Sequence, residues 1–118
     1  LPLGIGQRPA SGKVSDSGDS TFVTPQDAKK YAAIAVLNAL AAVKSVIGDL
    51  DRVKKVVKVV GFVASDPEFT GQPGVINGAS ELLGEIFGEA GTHARSAVGV
   101  PVLPLDSPVE VEIIVEYV

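Results

Sequence analysis

Arg95 carries the most specific chemistry in this sequence, because it stands near the start of the otherwise apolar stretch ARSAVGV, residues 94–100. A guanidinium gains little from packing there, and its planar fork matches a carboxylate through two parallel hydrogen bonds. The sequence therefore predicts that Arg95 binds a carboxylate ligand. The alternative is an ordinary ion pair between Arg95 and a neighbouring acidic side chain.

Three acidic residues alternate along the last segment of the chain, at Glu110, Glu112 and Glu116. Such an alternation is typical of a solvated strand face, which is the interpretation for Glu112 and Glu116. Glu110 would lie near Arg95 if the last two strands pair with each other. In that position Glu110 could hold a water molecule or relay a proton.

Two further polar residues interrupt or border apolar segments. Asn77 falls in the first turns of a predicted apolar helix, where it either caps the helix or belongs to a site. Gly78 follows it at a cost of about 1 kcal/mol relative to alanine, and it would permit another backbone to approach closely. His93 precedes Arg95 by two residues, and at a junction between loop and strand it is interpreted as an exposed residue without a role.

The composition excludes several kinds of chemistry and partner. The chain has no cysteine and one histidine, so a thiolate or His-rich metal site and a cysteine nucleophile are excluded. We therefore expect no metal. The formal net charge is −4 and the charges are scattered along the chain, so nucleic acid is not an expected partner.

Two observations bear on where the protein resides. No apolar run approaches the roughly 18 residues that a membrane span needs. Residues 1–6 lack the basic region and the apolar region of a secretory signal. A membrane partner is therefore not expected, and the cytoplasm is the expected compartment.

Local signals predict the first helix in detail. Thr24 offers a hydroxyl cap, Pro25 suits the first helical position, Asp27 lies in the first turn, and Gly48 is the predicted stop. The helical period places one set of apolar residues on the packing face, namely Ala33, Val36, Leu37, Leu40, Val43 and Ile47.

The remaining segments complete an α+β pattern. Residues 53–63 and 94–103 read as strands, residues 75–87 as a second helix, and residues 109–118 as a last strand after a proline-rich loop. Residues 1–23 read as a surface loop. The order predicts one domain, residues 1–118, with both helices packed on one face of a sheet. Three strands are few for two long helices, so we expect either further strands before Leu1 or burial of the open sheet face against other subunits.

Several motifs together resemble the Rid family, also known as the YjgF family of enamine/imine deaminases and long labelled endoribonuclease L-PSP. The resemblance rests on NGAS (residues 77–80), ARSAVGV (94–100), LPL (103–105) and VEVE (109–112), and it extends over most of the chain from Thr24 onward. The sequence is most similar to a less characterised branch of the family that carries ARSAVGV.

The resemblance implies a chorismate-mutase-like α+β fold, a homotrimer with three ligand clefts between subunits, and no cofactor. It implies small carboxylate substrates, namely 2-aminoacrylate-type enamines and their imines, which are hydrolysed to 2-keto acids and ammonia. Arg95 would grip the substrate carboxylate, and Glu110 would lie near the attacking water. Asn77 and the backbone at Ala97 would line the pocket.

The chain departs from the family pattern in three places. The family begins with a β-hairpin that has a Ser-Gly-Gln turn, and this sequence starts at Leu1-Pro2-Leu3-Gly4, so the single Rid-like domain is expected to lack that hairpin. Ala97 replaces a frequent cysteine and Gly99 a frequent acid, which predicts a pocket of different size and polarity. Two other functions stay open. A non-catalytic trimeric protein that binds small carboxylates is the main alternative, and a ribonuclease is disfavoured by the charge.

Overall fold

The computed structural model describes residues 11–118, and in them two helices and three strands follow one another in the predicted order. The prediction of an α+β domain is confirmed. Residues 1–10 lie outside the described residues, and the expected lack of the family's N-terminal hairpin stays a prediction. The elements are α1 (Pro25–Ile47), β1 (Val53–Ala64), α2 (Gln72–Phe87), β2 (Ala94–Val100) and β3 (Val109–Tyr117).

The first helix begins and ends at the predicted signals. The Thr24 hydroxyl accepts a hydrogen bond from the Asp27 backbone N–H at 3.1 Å. Gly48, at φ 90°, ends the helix and donates its N–H to the Lys44 carbonyl at 2.8 Å. The packing face is rotated relative to the prediction, since Leu37 is 49% exposed. Small residues near the start of the helix are buried in its place, and the buried set is Ala28, Ala32, Val36, Leu40 and Ile47.

Helix α1 is also the one helix among residues 11–118 with the length and hydropathy of a membrane-spanning segment. No apolar run of that kind was expected from the sequence. One side of α1 packs into the hydrophobic core with β1 and α2, as the core helix of a globular domain does. The absence of a membrane partner stays a prediction.

The long apolar strand β1 lies at the centre of the sheet, in the order β2-β1-β3. Strand β2 runs parallel to β1, and α2 makes the crossover that a parallel pair requires. Strand β3 runs antiparallel to β1 on its other side. The last two strands do not pair with each other, because both pair with β1. The condition that would place Glu110 near Arg95 is therefore not met within one chain.

Two irregularities in the β1–β3 register explain an unusual burial pattern. Val53, Val56 and Val59 are all buried at a spacing of three, which strict alternation does not allow. The register shifts between Val53 and Lys55 and again between Val56 and Lys58, and each shift places one extra residue in β1. The three valines therefore point to the side that the helices cover.

Part of the predicted N-terminal loop is built into the core. Val14 is fully buried and Val23 is 3% exposed. The Val14 N–H donates to the Ala64 carbonyl at 2.7 Å, and the Asp66 N–H donates to the Val14 carbonyl at 3.0 Å. Residues 11–23 show no sequence period because few of their side chains point inward. Even so, they are fixed to the end of β1.

The two helices approach each other closely at Gly78. A Cβ atom added to this glycine would collide with the backbone carbonyl of Lys29 on α1. The expectation that Gly78 permits a close backbone approach is confirmed. Gly84, one and a half turns later on α2, has open space on its Cβ side.

This contrast predicts opposite effects for two identical substitutions. Gly78→Ala is expected to lower the free energy of unfolding by about 1–3 kcal/mol through overpacking against α1. Gly84→Ala is expected to raise it by up to about 1 kcal/mol, because alanine favours the helix and meets nothing. Urea unfolding followed by circular dichroism measures both variants. Equal stabilisation by the two substitutions would contradict the close contact.

Candidate functional site

Arg95 lies on the side of β2 that faces the helices, since it pairs with the buried Val59 of β1. Its side chain is half-buried. The Arg95 Nη1 group donates to Asn77 Oδ1 at 2.7 Å and to Ser80 Oγ at 3.2 Å. Both acceptors come from α2, so the crossover helix holds the guanidinium over the strand.

No acidic side chain of residues 11–118 pairs with Arg95. The salt bridge found in this part of the chain joins Lys29 to Glu81 at 3.2 Å. Within these residues, the alternative of an ordinary ion pair for Arg95 is therefore wrong. The Arg95 guanidinium is held by two neutral groups.

The hydrogen bonds of Arg95 leave one edge of its fork unused. Both hydrogens of Nη1 are directed to Asn77 and Ser80, whereas Nε and Nη2 bond to no residue of the described range. In that range no buried side-chain nitrogen or oxygen lacks a hydrogen-bond partner, so neither Nε nor Nη2 is a buried, unsatisfied donor there. In general, the Nε and Nη2 groups of an arginine can donate two parallel hydrogen bonds to one carboxylate.

Asn77 lies inside α2 and does not cap it. The N-cap position of α2 is Gly71, with no side-chain cap, so the capping interpretation is wrong. Ser80 lies three residues after Asn77 and therefore on the same helix surface. Sequence analysis did not single out Ser80. Its spacing of three residues from Asn77, which places both side chains on one helix surface, is the feature of the sequence that could have indicated Ser80.

His93 is half-buried and bonded on both sides of its ring. Its Nε2 atom lies 2.8 Å from Ser80 Oγ, and its Nδ1 atom lies 2.6 Å from the Gly91 carbonyl oxygen. The interpretation of His93 as exposed is wrong, because its side chain is half-buried and hydrogen-bonded. It belongs to the hydrogen-bonded group that contains Arg95.

Ala97 shares the face of Arg95, because it follows two residues later on β2 and pairs with Gly61. It is half-buried and packs against the core. Strand β2 pairs with β1 on one side, and no other strand of residues 11–118 pairs with its second side. The predicted role of the Ala97 backbone in a pocket stays a prediction.

Glu110 does not come near Arg95 within one chain. Glu110 pairs with Phe62 of β1, whereas Arg95 pairs with Val59, three residues earlier in β1. The two residues flank opposite edges of β1, because β2 and β3 lie on either side of it. The two residues are therefore roughly 10 Å apart across the sheet and about 10 Å apart along it. Glu110 also alternates with the buried Val109, so its side chain points to the face that the helices leave open.

A cleft of about 590 Å³ runs between α1, the start of β3 and the preceding loop, and Glu110 contributes to its lining. The loop has Leu105 at φ 59° and Asp106 at φ 54°, a left-handed conformation that costs roughly 1–2 kcal/mol per residue. The Gly12 N–H donates to Asp106 Oδ2 at 2.9 Å and so helps hold the turn. The polar side chains of the lining include Tyr31, Asn38 and Ser107.

Comparison with known proteins identifies related chains. Residues 11–117 match the family described as "YjgF/chorismate mutase-like, putative endoribonuclease". Protein TCP17 of Trypanosoma cruzi is 46% identical over 95 residues, which are 80% of this chain and 59% of TCP17. The chain thus spans about three fifths of that relative's length.

Two solved structures share the fold. The protein Atu1372 from Agrobacterium tumefaciens, of unknown function, matches with a TM-score of 0.83 and 44% identity, over 91% of this chain and 65% of that one. A protein from Shewanella oneidensis, described as a "putative endoribonuclease", matches with a TM-score of 0.81 and 33% identity, over 90% of this chain and 67% of that one.

The cleft makes a prediction about the titration of Tyr31. Partial burial, and secondarily the negative charge of Asp27, raise the pKa of Tyr31 above its ordinary value of 10.0. The raised pKa favours the neutral phenol in the folded state, so this stabilisation is complete below pH 10.0 and is lost as the pH rises through the folded-state pKa.

The Tyr117→Phe variant leaves Tyr31 as the one tyrosine, because the chain has two. Its absorbance at 295 nm should titrate above pH 10.0, and adding Asp27→Asn should lower the midpoint only in part, since burial is the larger cause. Circular dichroism over the same pH range reports whether the fold persists. A midpoint at or below the ordinary tyrosine value in the folded protein would contradict the prediction.

Proposed function

The chain belongs to the YjgF/chorismate-mutase-like family, and on this premise we propose that it is an enamine/imine deaminase. Its substrates would be 2-aminoacrylate-type enamines and their imines, and its products a 2-keto acid and ammonia. The resemblance of NGAS, ARSAVGV and VEVE to the Rid deaminases supports this choice within the family.

The observation that carries the proposal is the state of Arg95. The guanidinium is half-buried, has no acidic partner among residues 11–118 and is held by two neutral oxygens on one side only. No ion pair within the described residues accounts for this charge. The open Nε–Nη2 edge is suited to an anionic ligand with two parallel oxygens.

The proposed reaction needs little beyond positioning. Protonation of the enamine carbon gives the iminium ion, and water adds to its carbon as it loses a proton. A proton is transferred to the amino group of the resulting carbinolamine, and departure of ammonia with loss of the hydroxyl proton leaves the 2-keto acid. A carboxylate fixed by Arg95 would hold the reacting carbon in place, which is a large part of what catalysis of such a reaction requires. Asn77 and the Ala97 backbone would border the ligand, and Glu110 would take a proton from the attacking water.

We propose a homotrimer in which Arg95 and Glu110 of each site come from neighbouring subunits. Their separation within one chain supports this arrangement, since one subunit cannot bring the two side chains to one ligand. The sheet face opposite the helices also carries exposed apolar side chains, with Val98 at 43% and Ile114 at 52%. Packing against another subunit would bury these residues and cover the open face of the three-stranded sheet.

A second candidate is a trimeric protein that binds small carboxylates without turning them over. Arg95 supports it equally well, and it is favoured because no carboxylate of residues 11–118 pairs with Arg95. Ligand binding without release of a 2-keto acid would decide for it.

A ribonuclease activity is not proposed, although a solved relative carries such a description. The net charge of −4 is unfavourable for binding a phosphate backbone. Affinity for RNA that falls steeply with salt concentration would overturn this view.

The first test is release of 2-keto acid and ammonia from an enzymatically generated 2-aminoacrylate pool, using the full-length natural protein. Arg95→Ala is expected to lower kcat/KM at least about 100-fold, because it removes a charged pair of hydrogen bonds. Lys30→Ala, which removes one positive charge from an exposed position of α1, is the matched control and should stay active. Unchanged turnover by Arg95→Ala in a protein shown to be active would contradict the proposal.

The second test concerns the shared site. Arg95→Ala and Glu110→Gln subunits, each inactive alone, are coexpressed so that mixed trimers form. If each site takes Arg95 and Glu110 from different subunits, every mixed trimer has one intact site, and random mixing should restore about a quarter of wild-type activity. If both residues came from one subunit, no activity would return.

A further inference from the structure

The hydrogen bonds around Arg95 form a directed chain that ends at His93. The carbonyl oxygen of Gly91 can only accept a hydrogen bond, so the His93 Nδ1 atom, 2.6 Å away, must carry the proton. In the neutral ring Nε2 is then an acceptor. The Ser80 hydroxyl, 2.8 Å from Nε2, donates to it.

The orientation of the Ser80 hydroxyl determines what it offers to Arg95. With its hydrogen directed to His93, the lone pairs of Ser80 Oγ face away from the imidazole, and one of them accepts the bond from Arg95 Nη1 at 3.2 Å. A serine hydroxyl without such a partner rotates freely and can present its hydrogen in other directions. His93 thus fixes a rotor that would otherwise be free.

We propose that His93 is a positioning residue, which acts through Ser80 to hold the Arg95 guanidinium with its Nε–Nη2 edge toward the ligand. The role rests on the carboxylate-binding function proposed for Arg95. His93 bonds to Ser80 and Gly91 and makes no hydrogen bond to Arg95 itself. Asn77, three residues before Ser80 on α2, accepts a hydrogen bond from the same Nη1 group. Two neutral side chains therefore fix the orientation of the Arg95 guanidinium.

The tautomer of His93 can be measured without any ligand. The chain has one histidine, so the ring nitrogens of a ¹⁵N-labelled sample give one set of NMR signals. At pH 8, Nδ1 is expected to carry the hydrogen of the neutral ring and Nε2 to be free of hydrogen. Protonation at Nε2 would overturn the proposed chain, because Ser80 would then have to accept from His93.

The functional test uses pyruvate, a small 2-keto acid, as the probe in calorimetric titrations at the same pH. His93→Leu is expected to weaken pyruvate binding roughly three- to tenfold, the equivalent of one neutral hydrogen bond. His93→Gln places an amide oxygen near the position of Nε2 and should keep most of the affinity. Equal losses in the two variants would indicate a role in packing and would contradict the proposal.

A double-variant cycle tests whether His93 acts through Ser80. Ser80→Ala should also weaken pyruvate binding, and adding His93→Leu to Ser80→Ala should cause no further loss, because the intermediary is already gone. Independent, additive losses would overturn the positioning role. Absence of pyruvate binding to the wild-type protein would contradict the carboxylate site and this role of His93 together, whereas equal binding by wild type and His93→Leu would contradict the role of His93 alone.

Discussion

The packing of helix α2 over the parallel strands β1 and β2 is the constraint on which the position of Arg95 depends. Arg95 must stay on β2 while Asn77 and Ser80 reach it from α2. That geometry requires β1, α2 and β2 to form a crossover unit with the helix directly over the parallel pair. The buried valines of β1 and the apolar face of α2 supply the packing that keeps the helix there.

The sequence was informative wherever the cause of a structure is local. A threonine cap, a proline and a terminal glycine placed α1 correctly, and β-branched runs placed the strands, because these signals act over a few residues. The strand order could not be predicted in the same way. Both β2 and β3 pair with β1, and a register with two irregularities buries Val53, Val56 and Val59 together. Such features depend on contacts between distant segments.

The sequence predicted two residues of the site from their types, but it did not predict how the side chains of the site are arranged. Arg95 and Asn77 stand out because a charge or an amide in an apolar element needs a reason. Ser80 and His93 do not stand out in the sequence, since each residue type is ordinary at its position. Only the fold brings Ser80 into hydrogen-bond contact with both His93 and Arg95. Glu110 was expected beside Arg95, and the intervening strand β1 separates them onto opposite faces. A prediction of side-chain contacts needed the strand order that the sequence did not reveal.

The contact of Gly78 with the Lys29 carbonyl ties the dynamics of the site to those of the whole domain. Gly78 is the residue after Asn77, so any rotation of α2 that withdraws Asn77 from Arg95 also moves Gly78 against the backbone of α1. Helix α2 therefore cannot undergo the small local unfolding that many binding loops undergo. The amide protons in the middle of α2 should accordingly exchange with solvent only in events that separate the two helices, and the same packing limits the motion of the groups that hold Arg95.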